Sequence, residues 1–346
     1  MILVEEPAAD PSCSRRFSRR LTLRAGAAIG AAMVMPAALA QPAEGTTKVS
    51  ETYRTVQTPS LEIAYIESGP ANGHPVILLN GFPYDVHAYD EVAPVLAGAG
   101  HRVLVPWLRG YGPTRFLSAR TMRSGEQAVL GQDVVTFMDA LGMPKAVLAG
   151  YDWGGRAACV AAALWPERVA GLVSANGYDI QDVAGAAKPQ PPATEHRLWY
   201  QYYLQGERGR AALETDRDGF CRFLWQLWSP DWRFDEATFA LTAASFKNPD
   251  FVDVVLQSYR HRFGLVAGDP GAAVDEARLA AMPAITAPTV VVHGATDEVT
   301  PPEMSAAHRD RFTGAYARRV LPGVGHNVPQ EAPTAFAAAV IEAARI

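Results

Sequence analysis

Charge is scarce in this chain. Only 19% of its 346 residues are Asp, Glu, Lys or Arg and 49% are apolar, which excludes a disordered or low-complexity protein and leaves enough apolar side chain for a large core. Extended basic runs are absent beyond the first 25 residues and the formal net charge is −5, so a nucleic-acid partner is not expected and a small molecule is. Cysteine is nearly absent, with three in the chain, and a chain of this size needs no disulfide staple. A bilayer span is also missing: the apolar stretch AGAAIGAAMVMPAALA has about 16 residues, is rich in Gly and Ala, and is interrupted by Pro36. No internal repeat is present.

That stretch follows SRRFSRRLTLR (14–24) and ends in Ala38-Leu39-Ala40, a small-x-small cleavage site. Basic segment, apolar stretch and cleavage site in that order predict a removable export signal over residues 1–40. Arg19-Arg20, followed by Leu21, Thr22, Leu23 and Arg24, resembles a twin-arginine signal, with Thr22 where that pattern favours an aromatic or large apolar residue. Residues 1–40 carry five Arg against Glu5, Glu6 and Asp10, so processing would leave a chain starting at Gln41 with net charge −7. The expectation is a periplasmic or secreted protein with no stable membrane anchor. Cys13 leaves with the signal; Cys159 and Cys221 could pair in an oxidising compartment, although two buried thiols are the expected state.

The mature chain alternates short apolar runs with helix-compatible stretches. PVILLN (75–80), HRVLVP (101–106), KAVLAGY (145–151), VAGLVSAN (169–176), PTVVVHG (288–294) and ARRVLPG (317–323) read as strands of a parallel sheet buried on both faces. Helical candidates lie near 87–99, 125–141, 154–165, 302–312 and 330–344, and this rhythm predicts a mostly parallel, doubly wound α/β sheet. LEIAYIE (61–67) alternates and reads as an early antiparallel strand. The rhythm breaks over 177–286, a segment without a clear strand that holds Trp199, Trp225, Trp228 and Trp232. The expected organisation is a core of residues 41–176 and 287–346 with an inserted helical cap at 177–286, set over the carboxyl ends of the strands where ligands bind.

AGYDWGGRA (149–157) joins one of these strands to a helix and has the small-x-nucleophile-x-small form of a nucleophile elbow, with Asp152 at its apex instead of Ser or Cys. Alone, such a segment is an ordinary N-cap. Three further segments agree with it. Asp297 follows PTVVVHG, His326 precedes the last helix, and Asn80-Gly81-Phe82-Pro83 follows PVILLN. Nucleophile, acid and base in that chain order match a hydrolase triad, and the loop after PVILLN would supply an oxyanion-hole N–H from Phe82 beside that of Trp153. A carboxylate is already ionised at neutral pH and suits displacement at an sp3 carbon, giving an ester that His326-activated water must hydrolyse while Asp297 holds the imidazole.

With these segments the chain resembles the α/β-hydrolase superfamily, and within it the Asp-nucleophile branch of epoxide hydrolases and haloalkane dehalogenases, over about residues 50 to 346. Asn80 replaces the His usual in that branch's oxyanion loop. The resemblance implies an epoxide or alkyl halide substrate and no metal or cofactor. Epoxide hydrolases of the branch use two cap tyrosines, implying Tyr200 and Tyr259, with Tyr202 and Tyr203 as competitors for the first role. Phe82, Trp153 and Tyr203 are expected against a small apolar epoxide, with water as co-substrate. A dehalogenase would need N–H donors such as Trp153 or Asn176, and Asp179 is an alternative third acid. Haloacetate dehalogenases carry Arg directly after the nucleophile; Trp153 stands there, and Arg156 one turn on is expected at the helix surface or behind the site. A reading of another class is an exported binding protein on a hydrolase scaffold.

Overall fold

The computed structural model describes residues 52–346. The export signal expected over residues 1–40, with Arg19, Arg20, Cys13 and the cleavage site at Ala40, lies outside the described residues. Strands β1 (Arg54–Gln57), β2 (Leu61–Ser68), β3 (His74–Leu79), β4 (His101–Pro106), β5 (Arg115–Phe116), β6 (Ala146–Gly150), β7 (Val169–Ala175), β8 (Thr289–Gly294) and β9 (Tyr316–Leu321) form one sheet. Its order is β1-β2-β4-β3-β6-β7-β8-β9, with β5 paired to β2. From β4 through β9 every pairing is parallel; β2 pairs antiparallel with β1, β4 and β5.

Burial explains the parallel part. Every residue of β6 and β8 is buried, because crossover helices cover both faces. The chain runs outward from β3 to β4, then returns across β3 to place β6 on the opposite side. Right-handed crossovers therefore put the helix Val92–Gly98 on one face and the helices Gln127–Ala140 and Asp152–Leu164 on the other. The reversal leaves a crevice between the carboxyl ends of β3 and β6, whose register aligns Leu79 with Gly150. Two glycines close it tightly. A Cβ on Gly154 would lie 2.0 Å from the Leu79 carbonyl oxygen, and one on Gly81 would lie 2.5 Å from Asp152 Cβ.

Between β7 and β8 the described chain is helical: Pro192–Arg197, Trp199–Tyr203, Glu207–Trp228, Glu236–Ala243, Phe251–His261 and Ala273–Leu279. Most of these lie over the crevice, fastened by buried polar contacts. Trp225 Nε1 donates to the Pro83 carbonyl at 2.9 Å, and Thr242 and Ser245 donate to buried Asp85 at 2.8 and 2.6 Å. The last helix behaves differently: Glu276 accepts from Ala128 N and Gln127, and Arg278 donates to the Leu164 carbonyl, so Ala273–Leu279 is fastened to core helices although it lies within 177–286. Cys159 and Cys221 are both buried and free. Among the described residues, no helix is long and apolar enough to cross a membrane.

The Gly154 contact is testable. In an open helix, Gly→Ala gains about 1 kcal/mol. Here Gly154→Ala should instead lower the unfolding free energy by about 2 kcal/mol or more, read from denaturant titration, because the clash is with backbone that cannot rotate away.

Candidate active site

Asp152 sits at the end of β6 with φ +50°, a left-handed conformation that strains a residue bearing a Cβ. This turn lifts its carboxylate over the crevice. Oδ1 accepts a 2.7 Å hydrogen bond from the Phe82 amide in the loop after β3. The Trp153 amide belongs to the first turn of the helix Asp152–Leu164, where N–H groups have no intrahelical partner. Burial pushes the Asp152 pKa up, but His326, Arg156 and the Phe82 amide outweigh it and hold the carboxyl below its ordinary value. The group is a carboxylate at neutral pH.

The loop after β9 brings His326 to this carboxylate. Nε2 lies 3.6 Å from Asp152 Oδ2, an ion-pair distance, while Nδ1 lies 2.8 Å from Oδ2 of Asp297. Asp297, in the loop after β8, is fixed by donors on every side: Asn176 Nδ2 at 2.6 Å, Val299 N at 2.7 Å and Thr300 N at 2.9 Å. Its acceptor-only oxygen beside Nδ1 assigns the Nδ1 proton and aims Nε2 at the carboxylate. Burial pulls the His326 pKa down, yet Asp297 and Asp152 together hold it at about 10. The His loop has its own clamp. Ser229 Oγ accepts from His326 N at 3.0 Å and donates to Glu331 at 2.6 Å, while Glu331 also accepts from Gly325 N and Asn327 N.

The helical side supplies rings and hydroxyls. Tyr200 and Tyr259 are both buried, with ring centres 5.5 Å apart in an edge-to-face pair. Tyr259 lies edge-to-face on Phe82 at 5.4 Å, Trp153 stacks on Phe82 at 5.6 Å, and Trp228 lies 4.9 Å from Tyr200 and 5.3 Å from His326. Burial and the Asp152 charge push the Tyr200 pKa up to about 12, and burial raises that of Tyr259; Arg262, whose Cζ is 4.2 Å from the Tyr259 ring centre, opposes both shifts. Phe82 and Trp153 thus line the carboxylate's surroundings. Tyr203 does not join them: its ring stacks on Phe220 at 5.9 Å and packs on Trp199. Tyr202 is exposed and donates to Glu195.

The remaining candidates separate clearly. Asn176, considered as a halide donor, has its amide N–H committed to Asp297. Asp179 accepts from Ser174 Oγ at 3.0 Å and is pushed to about 7 by burial, whereas His326 Nδ1 faces Asp297. Ser229, Glu331 and the Asp297-binding role of Asn176 escaped sequence reasoning. For Asn176 a signal existed in its placement at the carboxyl end of β7, beside β8. Away from this group, Glu126, His261 and Glu276 could offer ligands to a metal, their ligand atoms lying within 4.8 Å of one another. His261 Nε2 is already 3.1 Å from Glu126, and backbone and side-chain donors occupy Glu276.

Residues 74–333 match the alpha/beta hydrolase fold family, and the chain belongs to that family. Within it, the chain lies in the branch of epoxide hydrolases and haloalkane dehalogenases. A crystal structure of a provisionally assigned epoxide hydrolase from Klebsiella pneumoniae is similar with a TM-score of 0.84 and 48% identity, over 85% of this chain and 97% of that one. Mouse bifunctional epoxide hydrolase 2 is 36% identical over 177 residues, covering 49% of this chain and 30% of that protein. A haloalkane dehalogenase from Mycobacterium marinum is 37% identical over 125 residues, covering 35% of this chain and 40% of that protein. The chain therefore matches less than half the length of these two curated relatives.

The His326 environment has a stability signature. Its folded pKa, about 10, lies above the ordinary 6.5, so its contribution is fully present below about pH 6.5 and is lost as pH rises toward 10. The stability advantage of the native protein over His326→Gln should shrink across that window, by at most about 1.4 kcal/mol per pH unit. Denaturant titrations at the two ends of the window measure it; a constant gap would contradict the assignment.

Proposed function

We propose that the protein is an epoxide hydrolase that opens an epoxide to a vicinal diol through an ester on Asp152. The observation that carries this reading is the pair of buried phenols, Tyr200 and Tyr259, packed on each other and, through Tyr259, on Phe82 and Trp153 beside the carboxylate. An epoxide oxygen leaves as an alkoxide, which needs an acidic O–H, whereas a departing halide does not. With Oδ1 held by the Phe82 amide, Oδ2 is the attacking atom. It bonds to one epoxide carbon, the C–O bond breaks onto the ring oxygen, and that oxygen takes a phenolic proton.

Ester formation removes the charge of Asp152. One of the two carboxylates that hold His326 protonated is then gone, so its pKa falls, and its proton can neutralise the phenolate left by ring opening. The free Nε2 then deprotonates a water that attacks Cγ of Asp152. The oxyanion forms on Oδ1, where the Phe82 and Trp153 amides receive it, and collapse expels the diol with a proton from His326. The helices between β7 and β8 act as the cap that carries both phenols.

A second reading, haloalkane dehalogenase, has one observation in its favour. The indole Nε1 atoms of Trp153 and Trp228 are buried without hydrogen-bond partners, as donors awaiting a halide would be. Intact-mass analysis of His326→Gln, in which esters persist, separates the readings. Epoxides should leave an adduct of their full mass on Asp152; adducts only from alkyl halides, with halide lost, would favour the second reading, and none from either would favour a binding protein. Tyr259→Phe should slow alkylation by about 100-fold, measured by single-turnover kinetics. We also propose that residues 1–40 direct export, so that secreted protein begins at Gln41; N-terminal sequencing that still reads Arg19-Arg20 would overturn this.

A further inference from the structure

Among the described residues one other arginine is buried as deeply as Arg262, and it is paired. Arg109, 3% exposed, makes a two-pronged contact with Asp133 at 2.6 and 2.7 Å. Two arginines near Asp152, the buried Arg262 and the partly buried Arg156, are not. Arg262 is 6% exposed, yet its Nε and Nη2 reach only the carbonyl and hydroxyl of Ser258 on its own helix, at 3.4 and 3.2 Å. Its guanidinium lies over Tyr259, 4.2 Å from the ring centre. Arg156 stands one turn after Asp152 on the same helix face; its Nε donates to the Asp179 carbonyl at 3.2 Å and its Nη1 is buried with no partner. Among the described residues, neither guanidinium makes an ion pair with a carboxylate.

Like charges beside each other in a largely desolvated site are costly unless negative charge compensates them, and in the resting site Asp152 is the principal compensating charge. Burial, followed by the like charge of Arg156, pulls the Arg262 pKa down to about 10, so it remains a cation at neutral pH. The nearby Asp179 carboxyl, pushed to about 7 by burial, supplies only part of a charge. During the reaction proposed above the imbalance grows, because ester formation also cancels Asp152. A substrate that brings its own negative charge would compensate it.

We propose that Arg262 and Arg156 form an anion subsite and that the epoxide this protein opens carries a carboxylate. The inference rests on the epoxide hydrolase reading, and it replaces the wholly apolar substrate expected from the cap aromatics with one whose carbon skeleton lies among those rings and whose carboxylate meets the guanidiniums. A carboxylate matches the planar fork of Arg better than the point charge of Lys would.

Binding separates this inference from the epoxide reading because it needs no turnover. Arylalkanoates from phenylacetate to 5-phenylpentanoate and their matched carboxamides would be titrated calorimetrically into the full-length protein. At least one acid should bind about 10-fold tighter than its amide, the fold-change of one charge-assisted contact. The acid-to-amide ratio should fall to within about threefold in Arg262→Met and remain partly raised in Arg262→Lys. A merely structural role for Arg262 would weaken acid and amide together and leave the ratio intact. Should Arg262→Met not fold, Arg156→Gln provides the same ratio test. Equal binding of every pair by the unaltered protein, or a ratio that survives Arg262→Met, overturns the subsite. An aryl glycidate and its carboxamide complete the comparison: turnover of both without acid preference ends the subsite and leaves epoxide hydrolysis standing, while acid-selective binding with no turnover does the reverse.

Discussion

A carboxylate buried over the end of a strand and kept ionised is the constraint around which this molecule is arranged. Asp152 holds its charge because the Phe82 amide, His326 and Arg156 together overcome the cost of desolvation. Each of those partners arrives from a different crossing of the sheet. The tight turn that exposes Asp152 requires the close approach of Gly154 to Leu79 and of Gly81 to Asp152 itself, so the nucleophile and its first donor are geometrically one unit. The strand reversal between β3 and β6 makes that unit possible, by setting the two carboxyl ends side by side.

The same charge governs its neighbours. It raises the pKa of Tyr200 and helps to hold a proton on His326, so the resting site stores acid on groups that can deliver it once the charge is cancelled. In the proposed reaction, nucleophile, base and proton donors would thereby be coupled through one variable, the charge state of Asp152.

Much of this was legible in the sequence, for identifiable reasons. The inner parallel strands are continuous apolar runs because both faces are covered, and β3, β4, β6, β7 and β8 lie where those runs lie, to within a residue or so at each end; β9, read as buried on both faces, is instead an edge strand with no buried residue. β1 and β5 were not legible: RTVQ and RF are short edge segments without enough apolar periodicity to register. Asp152, Asp297, His326 and Phe82 were readable because each sits next to a strand end in a fixed chain order. The aromatic run 199–203 was harder, since helical phase decides which of its tyrosines faces inward; Tyr200 does, while Tyr203 turns to Phe220. Arg262 and Ser229 carry no local signal at all, because what matters about them is a missing partner in one case and a long-range clamp in the other.

The Ser229 clamp also bears on how such a protein can be re-engineered. Ser229 terminates the helix Glu207–Trp228, yet its hydroxyl bridges the His326 amide and Glu331. The helix Glu207–Trp228 is therefore anchored at this end to the loop that carries His326. Cap transplantation between relatives is accordingly not modular at this junction: a chimera that leaves Ser229 behind would exchange selectivity and, in the same cut, loosen the base.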